Sequence, residues 1–444
     1  MPPQATLRGR VSKAGVLRVD AALRALVVEA GVLSGLDGAS EPPNDMRHQA
    51  IGGRPVRALL PSLASLAFVS LGLPDGLLGT AWPSIRATFG QPLDAQGALL
   101  VTTTTAYVAA SFGTGPALAR ITLGRLLAAS ALATAVALLG SAASPSWWML
   151  VVFALLLGAG GGTIDAGINT YASTSHGPRM LNWLHACWGL GAALGPAIVV
   201  LVLEAGRSWR VAYALVGVAQ LGLAVGFALT SRFWPRNIAP RGEHEPKGTV
   251  GVGETLRLSG AELGAAAFFL YSGVEVGIGV WTFTLFTEGR GISSVAAGIW
   301  LSVFWGGLTL GRLVASVVGG RIPPVVLVRG CLVALSAGTG LVWFNGADAV
   351  GFAGLALAGT ACGPVFPTLM ATTPGRVAPR HVAGTVGFQV AAAAVGAALL
   401  PASMGVVARR LGLETLGPQL LGLSLATLVA HEVLVSLTRS PDRS

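Results

Sequence analysis

The hydrophobic and polar positions of the chain alternate between long apolar stretches and short polar breaks. A helix needs about 20 largely apolar residues to cross a membrane, and twelve stretches approach or exceed that length. The predicted spans are 58–82, 94–117, 123–143, 147–173, 180–203, 209–231, 259–286, 293–318, 324–344, 349–372, 381–408 and 414–437. The pattern therefore predicts an all-α integral membrane protein with twelve transmembrane helices.

Polar segments divide this pattern into domains. The stretch 232–258 contains Pro and Gly among polar residues, which is typical of a linker, and it separates six-helix bundles at 58–231 and 259–437. Residues 1–57 are charged throughout, so we expect a cytoplasmic N-terminal extension that is disordered or lies on the membrane surface. Residues 438–444 are a predicted cytoplasmic tail.

The two halves resemble each other in sequence. Helix 1 contains DGLLGTAW from Asp75, and helix 7 contains EVGIGVW from Glu275. Helix 5 contains GAALGPA from Gly191, and helix 11 contains GAALLPA from Gly396. Because the similar segments occur in the same order, we interpret the chain as a parallel repeat of two halves around a central site.

Composition agrees with a membrane protein, since 53% of the residues are hydrophobic and 11% are charged, against about 25% charged in soluble domains. A net charge of +10 would suggest a nucleic-acid partner in a soluble protein. Here the Lys and Arg residues lie mainly in alternate loops, which places both termini in the cytoplasm. We expect a monomer in the inner cell membrane, with the lipid bilayer and no nucleic acid as a partner.

No enzyme signature is present in the sequence. Cys187, Cys331 and Cys362 have neither paired nor metal-like spacing. The chain contains no G-x-x-x-x-G-K-[ST] phosphate loop and no H-E-x-x-H pattern. We therefore expect no enzyme, no cofactor and no metal site. If such a membrane protein transports a solute, it must draw on an ion or solute gradient.

Three acidic residues lie well inside predicted spans, namely Asp75, Asp165 and Glu275. An ionised acid near the bilayer centre costs about 2.5–3.5 kcal/mol on insertion scales, so such residues are functional candidates. His185 joins them, because the ordinary pKa of histidine suits proton exchange. We expect these four residues to couple transport to protons. The alternative for each is a structural hydrogen bond between helices.

Amide and indole side chains inside the spans are candidates for solute binding. Asn169 lies one turn after Asp165 on the same helical face. An indole packs on the apolar face of a sugar ring, while amides and carboxylates bind its hydroxyl groups. The predicted solute-binding residues are Asn169, Asn182, Gln389, Trp82, Trp188, Trp281 and Trp305. Packing or an ordinary interhelical hydrogen bond is the alternative for each.

Basic residues at the cytoplasmic ends of helices are candidates for gating. Arg120 and Arg125 follow helix 2, and Arg312 ends the segment WGGLTLGR in helix 8. Such charges can lock neighbouring helices in one state and release them in another. The alternative is that they only set the topology of the chain.

These features resemble the major facilitator superfamily over about 58–437. The loop between helices 2 and 3 is similar to the signature G-x-x-x-D-R-x-G-R-R of that family. Arg120, Gly124 and Arg125 match it, whereas Ala119 stands at the acidic position. The resemblance implies the major facilitator fold of two six-helix halves.

Within the superfamily, four segments resemble the fucose:proton symporter-like permeases and related sugar carriers. They are GLPDGLLG, IDAGINTY, NWLHACWGLGAALGP and GVEVGIGVW. In that family the acids of helices 1 and 4 are implicated in proton coupling and sugar binding. The resemblance therefore implies these roles for Asp75 and Asp165.

The leading hypothesis is secondary active transport of a small polar solute, with a sugar as first candidate, by proton-coupled alternating access. Gly191, Gly195 and Pro196 are similar to part of the drug/proton antiporter motif. The alternative is therefore a proton-driven exporter of drugs or metabolites. A membrane sensor that binds a solute without transporting it is a third hypothesis.

Overall fold

The computed structural model describes residues 59–176, 178–235, 254–255, 257–318, 321–344 and 346–438. Across these ranges the chain forms twelve long helices and no strand. They are α1 (Leu60–Phe89), α2 (Gln96–Leu118), α3 (Leu123–Ala143), α4 (Trp147–Ser175), α5 (Pro178–Glu204), α6 (Trp209–Thr230), α7 (Ser259–Thr284), α8 (Ser294–Val318), α9 (Pro324–Phe344), α10 (Asp348–Ala371), α11 (Val382–Leu411) and α12 (Leu416–Thr438). The predicted all-α membrane fold is confirmed.

Eleven of the helices in the described ranges are long and apolar enough to cross a membrane. The other is α2, which contains the consecutive threonines Thr102–Thr105 and is correspondingly less hydrophobic. With 23 residues, α2 still extends about 35 Å and contains no charged side chain. The chain is therefore a multi-pass membrane protein. The extension predicted at 1–57 and most of the predicted linker lie outside the described residues.

Helix α1 continues well beyond its predicted end at Trp82. Pro74 and Pro83 both lie inside it, and the helix ends at Phe89. Gly90 follows in the left-handed conformation with φ 61°, which glycine adopts without a steric penalty. A proline inside a membrane helix is tolerated where neighbouring helices compensate for the lost hydrogen bond. The longer helix carries Arg86 to the end of the bundle.

Glycines allow α1 and α5 to pack with their backbones in contact. A Cβ atom added to Gly72 would lie 1.9 Å from the carbonyl oxygen of Trp188, and one added to Gly191 would lie 1.9 Å from that of Val69. The corresponding helices of the other half pack in the same way, since a Cβ atom on Gly396 of α11 would lie 2.0 Å from the carbonyl oxygen of Phe269 in α7. Small residues at such contacts are typical of membrane helices.

The two halves meet where the repeated sequences meet. Gly79 of α1 and Gly279 of α7 stand at equivalent places in the two repeats, and a Cβ atom on Gly79 would lie 2.4 Å from the carbonyl oxygen of Gly279. The repeated segments therefore lie against each other at the centre of the bundle. This arrangement is the one expected of two related halves surrounding a central site.

We call the end of the bundle where α1 begins and α12 ends the terminal face, and the other end the opposite face. At the opposite face, Arg86 forms an ion pair with Glu288, and Arg409 lies 3.2 Å from Asp94. Both pairs join one half of the protein to the other. Among the described ion pairs, these two alone connect the halves, so the opposite face is held closed.

Candidate functional site

Asp75 lies in the middle of α1, between α5 and α7. Its carboxylate accepts a hydrogen bond from the indole Nε1–H of Trp188 over 3.1 Å. It also interacts electrostatically with Glu275 of α7. Asp75 is exposed although Gly76 and Leu77 beside it are buried. Its accessible surface therefore faces a cavity between the halves.

Glu275 is the equivalent acid of the second half. The hydroxyl group of Tyr271, one turn earlier in α7, forms a hydrogen bond with its carboxylate. The same hydroxyl lies 2.7 Å from the carbonyl oxygen of Cys362 in α10. Tyr271 is fully buried, whereas Glu275 is half-buried. Tyr271 thus connects the acid of α7 to the backbone of α10.

Asp165 of α4 has two polar partners. The amide nitrogen of Asn169 donates a hydrogen bond to its carboxylate over 3.1 Å, as their spacing predicts. The hydroxyl group of Tyr107 in α2 also interacts with Asp165. Glycines make this contact possible, because a Cβ atom on Gly162 would lie 2.2 Å from the carbonyl oxygen of Tyr107. The amide oxygen of Asn169 remains buried without a hydrogen-bond partner.

Trp188 is the centre of the polar cluster between the halves. The guanidinium group of Arg312, from α8, lies over its ring at 5.3 Å from the centroid. The ring of Trp305, also from α8, meets it edge-on with 5.7 Å between centroids. His185, one turn before Trp188, interacts electrostatically with Arg312. Side chains of both halves therefore meet at Trp188.

Three other predicted solute-binding residues occupy packed positions. Trp82 and Trp281 are fully buried, and their indole N–H groups donate to the carbonyl oxygens of Leu93 and Pro401. Gln389 is also fully buried, and its amide oxygen accepts a hydrogen bond from Thr373 over 2.9 Å. In this conformation none of the three offers a free surface to a solute. Contact with solute at these positions stays a prediction.

The predicted gating residues lie in different surroundings. Arg120 and Arg125 are exposed near the terminal face, and no acid of the described residues lies within ion-pair distance of either. Arg312 instead reaches Trp188 in the interior. Asn182 and His185 are exposed on α5. Gating by the three arginines stays a prediction.

Sequence analysis missed several polar groups around these residues. Tyr271 could have been found, because it precedes Glu275 by four residues and so shares its helical face. Tyr107 could not, since its contact with Asp165 depends on how α2 packs against α4. The ion pairs Arg86–Glu288 and Asp94–Arg409 join residues far apart in sequence, and no local pattern marks them.

The arrangement can hold a polar solute and exchange protons. Carboxylates from both halves, an indole, a guanidinium group and a histidine lie in one cluster between the halves. Carboxylates and amides bind hydroxyl groups, and an acid in such a place can be neutralised by a proton before it moves through a dry state. Among the described residues, no group of His, Cys, Asp and Glu side chains could hold a metal ion.

A second, apolar cavity of about 720 Å³ lies between α5, α8 and α10. Leu201, Ile299, Val303 and Leu310 contribute to it, and each is exposed on the outside of the bundle. Gly306 leaves room in its wall, because no atom lies within 4 Å of an added Cβ atom. This groove is separate from the polar cluster and opens sideways, where acyl chains surround the protein.

Residues 64–430 match the model of the Major Facilitator Superfamily. The chain is 26% identical over 331 residues to Bypass of stop codon protein 6 of Saccharomyces cerevisiae, covering 66% of this chain and 65% of that protein. It is 22% identical over 273 residues to the glucose/mannose transporter GlcP of Bacillus subtilis, covering 58% of this chain and 65% of that protein. The chain thus spans about two thirds of the length of each relative.

Solved structures with a similar fold are transporters. A bacterial homologue of the human lysosomal transporter Spinster, in an inward-facing and occupied conformation, matches with TM-score 0.69 at 15% identity, covering 86% of this chain and 96% of that one. A mutant of the nucleoside transporter NupG matches with TM-score 0.71 at 15% identity, covering 84% of this chain and 98% of that one. The transporter FucP in the outward conformation matches with TM-score 0.59 at 14% identity, covering 85% of this chain and 99% of that one. At these identities the similarity establishes the fold.

Proposed function

Because the chain belongs to the Major Facilitator Superfamily, and is therefore a membrane transporter and not an enzyme, we propose that it moves a small polar solute, with sugars as the leading class, by proton-coupled alternating access. The observation that carries the proposal is the cluster at Trp188. There Asp75 of one half and Glu275 of the other interact electrostatically from equivalent positions of the two repeats. A solute bound at this place touches both halves.

Sugar is favoured by the chemistry of the cluster. A sugar ring has an apolar face that suits the indole of Trp188, and hydroxyl groups that suit Asp165, Asn169 and Asp75. The glucose/mannose transporter among the relatives and the nucleoside transporter among the solved structures agree with a polyhydroxylated solute.

Proton coupling follows from the cost of charge inside the membrane. With Asp75 and Glu275 both ionised, reorientation would carry two like charges through a dry state, at a cost of about 2.5–3.5 kcal/mol each on insertion scales. Protonation removes this cost. If the solute binds better to the protonated protein, the proton gradient drives solute uptake, and the coupling is reciprocal. His185 is proposed to exchange protons with the cavity, since it is exposed beside Trp188.

The proposed orientation places the terminal face in the cytoplasm of the cell, with the protein in the inner membrane. The excess of Arg and Lys in the loops at that face supports it. In this orientation the ion pairs Arg86–Glu288 and Asp94–Arg409 close the outer side, and the conformation is inward-facing. Arg120 and Arg125 are proposed to close the inner side in the other state.

The proposal is tested by uptake of labelled glucose, mannose, fucose and a nucleoside into proteoliposomes with an imposed inward proton gradient. The expected result is accumulation of at least one sugar, abolished when the gradient is collapsed. Asp75→Asn and Asp165→Asn should lose accumulation while at least one retains solute exchange. Asp348→Asn is the matched control, because Asp348 is exposed at the start of α10, away from the cluster. If no solute accumulates, the proposal fails.

The apolar groove between α5, α8 and α10 favours one second candidate, a proton-driven exporter of amphiphilic compounds. An amphiphile could enter this groove from the lipid and pass between α5 and α8 to the polar cluster, to which both helices contribute. Everted vesicles with the opposite gradient test the candidate, using a fluorescent amphiphilic dye. Dye accumulation that ends when Gly306→Leu fills the groove supports it, whereas dye accumulation unaffected by that change does not.

A further inference from the structure

Arg312 brings a positive charge of one half against the other half of the protein. It lies inside α8, and its guanidinium group covers the ring of Trp188 from α5 at 5.3 Å. It is half-buried. Trp188 in turn holds Asp75. Arg312 is thus part of the cavity between the halves and not of the surface at the terminal face.

The charge of Arg312 has no acidic partner in the described part of the chain. No carboxylate there lies within 4.0 Å of it, and its Nε–H is buried without an acceptor. Arginine stays protonated in proteins, so this group cannot become neutral. A half-buried cation whose only described partner is an aromatic ring remains costly at membrane depth. The position therefore calls for an anion from outside the chain.

The titratable groups that face Arg312 come from every neighbouring helix. His185 of α5, Tyr271 of α7 and Cys362 of α10 interact with it electrostatically, while Asp75 of α1 and Glu275 of α7 lie beside Trp188 and Tyr271. The two acids bond to Trp188 and Tyr271 instead of to Arg312. While both acids are ionised, the cluster repels an anion. Once both are protonated, Arg312 makes the cluster positive.

A second unused donor lies on the same face of α8. Trp305 precedes Arg312 by seven residues, which is two helical turns, and packs on the same indole of Trp188. Its Nε1–H is buried without an acceptor. Two unsatisfied N–H donors beside one aromatic ring favour an anionic, hydrogen-bond-accepting group there, which reaches Trp305 once this ring, 3% exposed in the present conformation, becomes accessible.

We propose that Arg312 binds the carboxylate of the transported solute, and that the solute is a sugar acid. The proposal rests on the proposed transport function and narrows its substrate class. Guanidinium binds carboxylate through two parallel N–H bonds. A single carboxylate matches the one cation of the cavity, whereas a phosphate carries about −1.5 to −2 charges at neutral pH. The hydroxyl groups of the sugar acid then reach Asp75, Asp165 and the free amide oxygen of Asn169.

This assignment links the solute to the protons. An anion enters only after Asp75 and Glu275 have lost their charge, so protons must bind for the sugar acid to bind. By reciprocity the sugar acid raises the affinity for protons by the same factor. The protons and the sugar acid then cross the membrane together. The protons neutralise Asp75 and Glu275, and the carboxylate of the sugar acid compensates the charge of Arg312 in the closed state.

The test is binding of matched sugars to the purified full-length protein by calorimetry at mildly acidic pH, with glucuronate and gluconate compared with glucose. Wild-type protein should bind the acids at least about tenfold more tightly, the factor of one charge-assisted hydrogen bond. Arg312→Gln should remove this preference. Arg312→Lys should retain part of it, since an ammonium group keeps the positive charge but lacks the two parallel N–H donors of guanidinium. Arg321→Gln is the matched control, because Arg321 is exposed beyond the end of α8.

Equal affinity of wild-type protein for glucose and for both acids would overturn the proposal, as would a preference that survives Arg312→Gln. Thermal unfolding of each variant shows whether it is folded. If Arg312→Gln is not folded, the wild-type comparison decides alone. Because the readout is binding, failure of proton-driven uptake with an intact preference for acids would reject the transport mechanism and leave the role of Arg312 standing.

Discussion

The indole N–H of Trp188 donates a hydrogen bond to the carboxylate of Asp75 over 3.1 Å and joins α5 to α1 beside the cavity. The contact is possible because Gly72 lets α1 approach the backbone of Trp188 itself. The same indole carries Arg312 on its face and Trp305 at its edge. Trp188 therefore connects Asp75 to α8 of the other half.

Replacing Trp188 with Phe tests this contact, because it removes the N–H donor and keeps an aromatic ring. We expect proton-driven uptake to fall about tenfold, the effect of losing one hydrogen bond to a charged group, while the protein remains folded. Trp183→Phe is the matched control, since its N–H bonds to Ser65 over 2.9 Å on the same helix. Comparable losses in both variants would show that Trp188 acts only through packing.

Tyr107→Phe tests the contact between α2 and Asp165. The variant leaves the ring in place and removes the hydroxyl group that interacts with Asp165, so we expect a lower rate of uptake and a changed pH dependence. Initial rates of uptake measured from pH 5 to 8 check this. Tyr213→Phe provides the comparison, because Tyr213 packs on Trp209, away from the acids. An unchanged pH profile in Tyr107→Phe would exclude a role in proton exchange.

The helices could be predicted from sequence because insertion into lipid depends on local hydropathy. The end of α1 could not, since Pro83 stays helical only through its tertiary surroundings. Asp75 and Trp188 were expected to be functional from residue type and depth, and Arg312 from its place near a helix end. Their meeting depends on the approach of α1 to α5 and of α5 to α8, which no local pattern reveals. Sequence position alone therefore suggested a helix end for Arg312, whereas its side chain lies against Trp188.

Gly76→Ala tests the close packing of α1 on α5. The added Cβ atom would lie 2.2 Å from the carbonyl oxygen of Ala192, and the backbones cannot separate without breaking the Trp188 contact. We expect a loss of about 1–3 kcal/mol in unfolding free energy, the usual cost of overpacking. Gly113→Ala should have little effect, because no atom lies within 4 Å of its added Cβ. Thermal unfolding in detergent compares the two, and equal melting temperatures would contradict the packing argument.

The ion pairs at the opposite face predict how the conformations are balanced. Arg86 and Glu288 are partly exposed, so their pair contributes about 0–1 kcal/mol to the closed face. Removing it with Glu288→Gln should shift the equilibrium constant between the closed and open states of that face by up to about fivefold toward the open state. Gly97→Cys with Ala402→Cys reports this, because the added Cβ atom of residue 97 would lie 2.8 Å from that of Ala402, close enough for cross-linking after small adjustments. The three native cysteines are first replaced by Ser or Ala.

Cross-linking between these two positions should be efficient in the otherwise unchanged protein and slower with Glu288→Gln or Asp94→Asn. Combining Arg86→Glu with Glu288→Arg should restore the rate, because the pair is re-formed with its charges exchanged. Arg329→Gln serves as the control, since Arg329 pairs with Glu432 inside the second half and does not join the halves. If the exchange fails to restore cross-linking while Arg329→Gln has no effect, local structure around Arg86 holds the face closed and the ion pair does not. If all variants cross-link equally, the glycine contact between α1 and α7 is sufficient to close it.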